Sequence, residues 1–519
     1  MNPRSAAPCS RRTTLALATA VPILLAVSAC SFDSGSAATS ENGAATLVVA
    51  DLWAPDSGYA LETDDAFTLT RAGCLETLVS VDEDNKAQPA LATEWSQTAP
   101  TTWELTLRET TFQNGTPLTA QVVADDLSRL LASAAPPRAF SPDVVSAVTA
   151  VDERTVRIET TAEDLFLPLR LSAPNTGILA PEAFTTDGET DPVGTCTGPF
   201  EITSIGTGQS LQLAANDDYW GGDVALDGAE IRYAEDGETR ATQLRSGEVS
   251  VAANLPVTSL SALEGADGVE LQESGLPRTT SLRLNDGKAP FDDVDARRAV
   301  QAAIDLDAIV DGVYEGTASP AASDFTSDEP WNPSDLEPVA GGPDAARAIL
   351  ADADLDPADL GFELIAYSDR PEFANLAQVI QAQLAEVGIP VTIRTGDYAS
   401  VEDDLMSGAF DATLLSRNHL IDLPEPIGML RSDATCEGGF NLSAYCDPKV
   451  DALVEEAGST SDVDERYALY AQVAERMAED VAFVPLVHDS LTLGVASGVH
   501  GLPTDPLERT LLTRDTTLS

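Results

Sequence analysis

The second half of the chain alternates between two kinds of segment, and that alternation limits the fold more than any other feature. FELIAYS (362–368), PVTIRTG (390–396) and FDATLLS (410–416) are short apolar runs of the kind that form buried strands. Around them lie AARAILADADL, NLAQVIQAQLAEVG, VDALVEEAG and ERYALYAQVAERMAED, with apolar residues at helical spacing. RTTSLRLND reads as a further strand, and DARRAVQAAIDLDAIVDGVY as a pair of helices. Strand and helix signals in turn indicate an α/β lobe.

The first half is built differently. ATLVVADLW is an opening strand ending at Trp53, and TTWELTLR alternates, with Trp103, Leu105 and Leu107 on one face. VSAVTAVDERTVRIET reads as a hairpin, and GPFEITSIGTGQSLQLAAN as two strands around a Gly-rich turn. Asn114-Gly115 marks a turn, Thr119 an N-cap before a helix, and Gly247 the end of the helix ETRATQLRSG. Two lobes of different construction imply a cleft between them, where ligands commonly bind.

The N-terminus carries separate information. Arg4, Arg11 and Arg12 precede an apolar run over 15–29, the length of a secretory signal and short for a membrane span. Val27-Ser28-Ala29-Cys30 resembles a bacterial lipobox, which makes 1–29 a lipoprotein signal peptide and Cys30 the lipidated residue. A plain secretory signal is the alternative. Arg11-Arg12 loosely resembles a twin-arginine signal, so the export route stays open. Residues 30–46, rich in Ser, Gly and Ala, read as a flexible tether. About 490 residues follow the signal, enough for two full cores.

Charge and cysteines narrow the function. The net charge is −56, with 85 Asp+Glu against 29 Lys+Arg, which excludes a nucleic-acid partner because phosphate binding needs basic patches. The acid is dispersed, as on a solvated surface. Beyond Cys9 and Cys30 there are four cysteines, and in an exported chain four allow three pairings. Cys436 and Cys446 flank a natural loop, CEGGFNLSAYC, which leaves Cys74 for Cys196. Metal ligation is the rival reading, but Cys-x-x-Cys is absent and His419, His488 and His500 are scattered.

No catalytic pattern emerges. GVASG misplaces the serine of a nucleophile elbow, and His-Glu-x-x-His is missing. DADLDPADLGFE mimics a calcium loop but has Pro357 where the sharp turn needs glycine. No cofactor, metal site or enzyme activity is expected.

Several segments, in order along 47–495, carry a family resemblance: LETLVS, QPALATEWSQTAPTTWELTLRETTFQNGTPLTAQVVADDL, GTCTGPFEI, NDDYWGG, LRSGEVSVA, LRLND with PFDDVDARRAVQAAIDLDAIVDGV, and NLSAYCDPKVDALVEEA. The ordered set is similar to bacterial solute-binding family 5, the extracytoplasmic receptors of oligopeptide, dipeptide, nickel and opine ABC importers. The resemblance implies a bilobal clamp of the type II periplasmic-binding-protein kind, with an extra subdomain inserted in lobe I at about 85–190. Lobe I would span 47–275, lobe II 276–480, and 481–519 would return to lobe I. The chain would cross the hinge near 273–280 and again near 480–485.

Function follows as expectation: a monomeric, lipid-anchored receptor on the extracytoplasmic face of the cell membrane, delivering a short peptide to an ABC permease. A nickel-chelate or opine receptor and a secreted hydrolase are the alternatives. Asp422 falls on the aspartate that pairs with the ligand's α-ammonium group in peptide-binding members; its other reading is a turn residue before Pro424. The tryptophan of that motif is missing, and Ser250 replaces a usual acid. Position adds Arg417 and His419 at the end of FDATLLS, Trp53 at the end of the first strand, and Arg278 at the hinge. An arginine in a cleft can pair bidentately with a ligand carboxylate.

Overall fold

The computed structural model describes residues 46–185, 189–420 and 423–519. The signal segment, Cys30 and the tether up to residue 45 lie outside the described residues. Among the described residues no helix is long and apolar enough to cross a membrane.

One sheet contains most of the strands. Its order is Val391–Gly396, Phe362–Tyr367, Ala412–Asn418, Val269–Leu284, Val484–Ala496, Val251–Ala252, Leu47–Asp51, Gly228–Tyr233, Leu211–Ala215, Phe200–Ile205. It holds two parallel patches. Phe362–Tyr367 pairs in parallel with Val391–Gly396 and Ala412–Asn418, and Leu47–Asp51 does so with Gly228–Tyr233 and Val251–Ala252. All five residues of Leu47–Asp51 are buried, as expected of a strand covered on both faces. The helix Phe373–Glu386 buries Phe373, Leu376, Ala377, Ile380 and Leu384, the apolar stripe read from the sequence.

Two long antiparallel strands, Val269–Leu284 and Val484–Ala496, join the patches. Their ladder breaks midway: Gly275 pairs with Ser490 and Thr279 with His488, so three residues face the single Asp489. Pro277 occupies the break, where its missing N–H costs no ladder bond. Its carbonyl accepts from the His419 amide at 3.0 Å. A second register shift follows between Thr280 and Ser281. Bulged strands bend, so the sheet turns here. The bend is pinned by side chains. The Thr279 hydroxyl donates to the Asp324 carbonyl at 2.8 Å, which leaves His488 Nδ1 to donate to Thr279 Oγ1 across 2.9 Å. Burial lowers the His488 pKa to about 3, so the imidazole is neutral.

The cores divide on either side of the bend. One draws Leu47, Leu69, Phe200 and Ile231 together with Val495 and Leu511. The other gathers Leu282, Val300, Leu364, Ile380 and Leu414 with Leu486. The fold is thus a bilobal α/β clamp. A separate four-stranded sheet, Ala92–Ala99, Thr102–Leu107, Thr155–Thr160 and Val145–Ala150, has its own core with the helix Ala120–Leu131. Thr119 caps that helix, accepting from the Val122 amide at 3.3 Å. Disulfides join Cys74 to Cys196 and Cys436 to Cys446.

The two halves also meet away from the main sheet. Phe166 is buried in a core with Trp331, Tyr467 and Tyr470, its ring 5.1 Å from the Arg466 guanidinium. The Tyr467 hydroxyl donates to the Asp84 carbonyl at 3.1 Å, and Lys86 pairs with Asp464 at 3.3 Å.

Candidate functional site

In open α/β sheets, ligands bind beyond the carboxyl ends of the parallel strands. In the first patch those ends lead to Trp53 and Asn254; in the second they lead to Arg370, Tyr398 and His419. Arg278 stands in the ladder break opposite the long strand that carries Asp489, within electrostatic reach of Arg370 from the second edge and of Glu508, which bonds Asn254 at the first.

The Arg278 side chain has no hydrogen bond or ion pair among the described residues, its backbone being paired with Asn418 in the sheet. Its pKa is lowered, first by burial and then by Arg370, while Asp489, Glu508 and Tyr367 pull it the other way. Arg370 donates to Ser416 Oγ at 2.8 Å and lies 3.4 Å from Glu372 and 3.7 Å from Asp489. Asp489 is itself raised by burial, an effect opposed by Arg370 and Arg278. The Tyr314 hydroxyl is buried beside this group, next to Thr280. Two guanidinium groups, one unpaired and one loosely held, can accept a carboxylate when solvent is excluded.

The other residues singled out from the sequence are placed as follows. Arg417 is engaged within its own lobe, with Nε and Nη2 on Asp433 at 2.8 and 2.9 Å and its guanidinium 4.7 Å from the Phe440 ring. His419 is 3% exposed, with Nε2 2.5 Å from Glu329 Oε1 and Nδ1 without a partner among the described residues. Trp53 is 37% exposed, edge-on to Phe67 and 5.2 Å from the Arg71 guanidinium. Asp422 lies outside the described residues. Beyond it, Glu425 accepts from Arg466 Nε at 2.7 Å and from the Tyr470 hydroxyl at 2.9 Å. Of these residues, only Arg278 joins the group of charges at the bend.

Arg370, Asp489 and Glu508 were not legible as site residues. Arg370 follows the end of FELIAYS just as Arg417 stands at the end of FDATLLS, so the positional signal was present on both strands. Among the described residues no group of three or more His, Cys, Asp or Glu side chains could hold a metal ion.

Comparison with known proteins agrees with this geometry. The family model for the bacterial extracellular solute-binding proteins, family 5 middle region, matches residues 86–441. The crystal structure of a nickel ABC transporter from Bacillus halodurans superposes with a TM-score of 0.82 at 28% identity, covering 91% of this chain and 99% of that one. A nickel-binding protein of Staphylococcus aureus is 27% identical over 413 residues, 79% of this chain and 82% of its own. A dipeptide-binding protein of Escherichia coli is 26% identical over 379 residues, 70% of each chain.

Proposed function

The chain belongs to the bacterial extracellular solute-binding proteins of family 5, and from that premise we propose that it captures a short peptide and delivers it to a membrane permease. As a member of the family it is the substrate-binding receptor of an ABC importer and not an enzyme. The peptide reading is carried by one observation: the side chain of Arg278, half-buried at the bend between the lobes, has no partner among the described residues and stands beside Arg370. A buried cation without a partner is costly, and a ligand carboxylate would satisfy it. Closure of the lobes would exclude water and strengthen that pairing.

The α-ammonium group of the peptide goes to Asp422 in this reading. The inserted subdomain at about 85–190 is supported by the separate sheet and core found there. The proposed lobe boundary at 275/276 falls at the bend, while the one at 480/481 precedes it, since Val484, Leu486 and Val487 still pack in the second core. Cys30 anchors the receptor by lipid, and the protein works as a monomer.

Native mass spectrometry of protein purified without refolding identifies the bound solute, and calorimetry then tests the ammonium site. Asp422→Asn keeps the shape and removes the charge. Losing the partner of a buried cation costs about 3–5 kcal/mol, two to four orders of magnitude in affinity. Wild type should reject the N-acetylated peptide and Asp422→Asn should barely distinguish the two. If wild type binds both forms equally, the ammonium group is not read and the peptide assignment fails.

A nickel chelate is the second reading. The same arginines suit the carboxylates of a metal chelator, and two nickel proteins are among the relatives. Nickel found with an organic chelator in the native spectrum would select it.

A further inference from the structure

We infer that Glu508 is a cation-recognising group of the cleft, so that the preferred solutes carry an alkylammonium or guanidinium group as well as a carboxylate. The inference rests on the peptide reading above and deepens it. Glu508 belongs to the C-terminal segment, outside every motif read from the sequence.

Four observations converge on this residue. Glu508 lines an open recess together with Arg71, Glu273, Ser274 and Asp505. Its Oε1 accepts from the Asn254 side-chain amide at 3.0 Å, and Asn254 follows the strand Val251–Ala252 at the carboxyl edge of the first parallel patch. No cation lies within ion-pair distance of its carboxylate among the described residues, although Arg71 and Arg278 are close enough to act on it. Arg71 is already committed, with two bonds to Asp51 and a third to the Glu508 backbone carbonyl. Finally, Glu508 and Asn254 both have left-handed backbones, φ 56° and 50°, a conformation that non-glycine residues keep only where the surroundings enforce it.

The enforcement is visible. Asp505 accepts from the amides of Leu507, Arg509 and Thr510 at 2.9, 2.8 and 2.7 Å, which winds the chain into a tight turn. The Arg509 guanidinium then ties the turn to Ser172 at 3.2 Å. The product of this construction is one carboxylate held rigidly at the recess. Burial raises its pKa, an effect opposed by the Asn254 bond and by Arg71 and Arg278. A ligand cation would reverse that cost, since an opposite charge nearby favours the ionised form. Carboxylate recognition at Arg278 and Arg370 and cation recognition at Glu508 together make the cleft complementary to a solute with both charges.

The test is calorimetry with Ala-Lys-Ala and its isostere Ala-norleucine-Ala, each free and N-acetylated, on wild type, Glu508→Gln and Glu508→Asp. We expect wild type to prefer the lysine peptide over the norleucine one by about tenfold or more, Glu508→Gln to erase that preference, and Glu508→Asp to restore part of it. Erasure of the lysine preference with the acetylation effect intact assigns Glu508 to the side-chain cation; erasure of the acetylation effect instead overturns the inference, because the α-amine belongs to Asp422 in the reading above. A Glu508→Gln protein that weakens all four peptides equally, or none, overturns the inference and leaves the receptor reading intact. Wild type that binds no peptide removes the peptide reading itself. Equal melting temperatures for the three proteins separate recognition from folding.

Discussion

Two arginines near the cleft show what distinguishes a structural charge from one that waits for a ligand. Arg71, on the floor of the first lobe, is 2% exposed and fully engaged: Asp51 takes Nε and Nη2 at 2.9 Å each, and the Glu508 carbonyl takes Nη1 at 3.0 Å. Burial lowers its pKa, but Asp51, with Glu508 and Asp505, more than offsets that and leaves it raised. Arg278, at the bend, is also largely desolvated, but its pKa is lowered because burial and Arg370 outweigh Asp489 and Glu508. A folded protein satisfies its buried charges unless something else is to satisfy them. The first lobe closes its account with Asp51; the bend is left open.

That contrast can be broken in four steps of decreasing size. Arg71→Met strands Asp51 in the core and should cost about 3–5 kcal/mol of stability, read from urea unfolding. Replacing both partners, Arg71→Met with Asp51→Leu, should recover most of that loss, because no uncompensated charge remains. Arg278→Met strands nothing, so its stability should stay within about 1 kcal/mol of wild type while peptide affinity falls. If Arg278→Met destabilises as much as Arg71→Met, the unpaired reading of Arg278 is wrong. Smallest is Lys86→Ala: the Lys86–Asp464 pair is solvent-exposed and should contribute only about 0.2–1 kcal/mol. A larger effect there would mean that the contact between the halves is held by charge and not by the buried Phe166.

The fold was largely readable because its elements are local. The helix Phe373–Glu386 repeats its apolar residues at helical spacing, and Val145–Ala150 with Thr155–Thr160 alternates as a hairpin should. Cleft chemistry was harder to read because it depends on partners distant in sequence. Arg417 and Arg370 both stand at strand ends, and only the fold shows that Asp433, in the turn Leu430–Ala434, occupies the first. Asp489 and Arg278 lie 211 positions apart, and the ladder break that brings them together depends on register, which composition does not reveal. Glu508 lies in a stretch without periodicity, organised by the side chain of Asp505 rather than by a helix or strand.

At the centre stands the pairing of Arg278 and Arg370 with a carboxylate of the solute. The measurement is calorimetric affinity for Ala-Lys-Ala against its C-terminal amide, on wild type and on Arg278→Met with Arg370→Met. Wild type should bind the free acid roughly two orders of magnitude more tightly than the amide, and the double variant should lose that discrimination. Equal binding of acid and amide by wild type, or discrimination that survives in the double variant, would contradict the account.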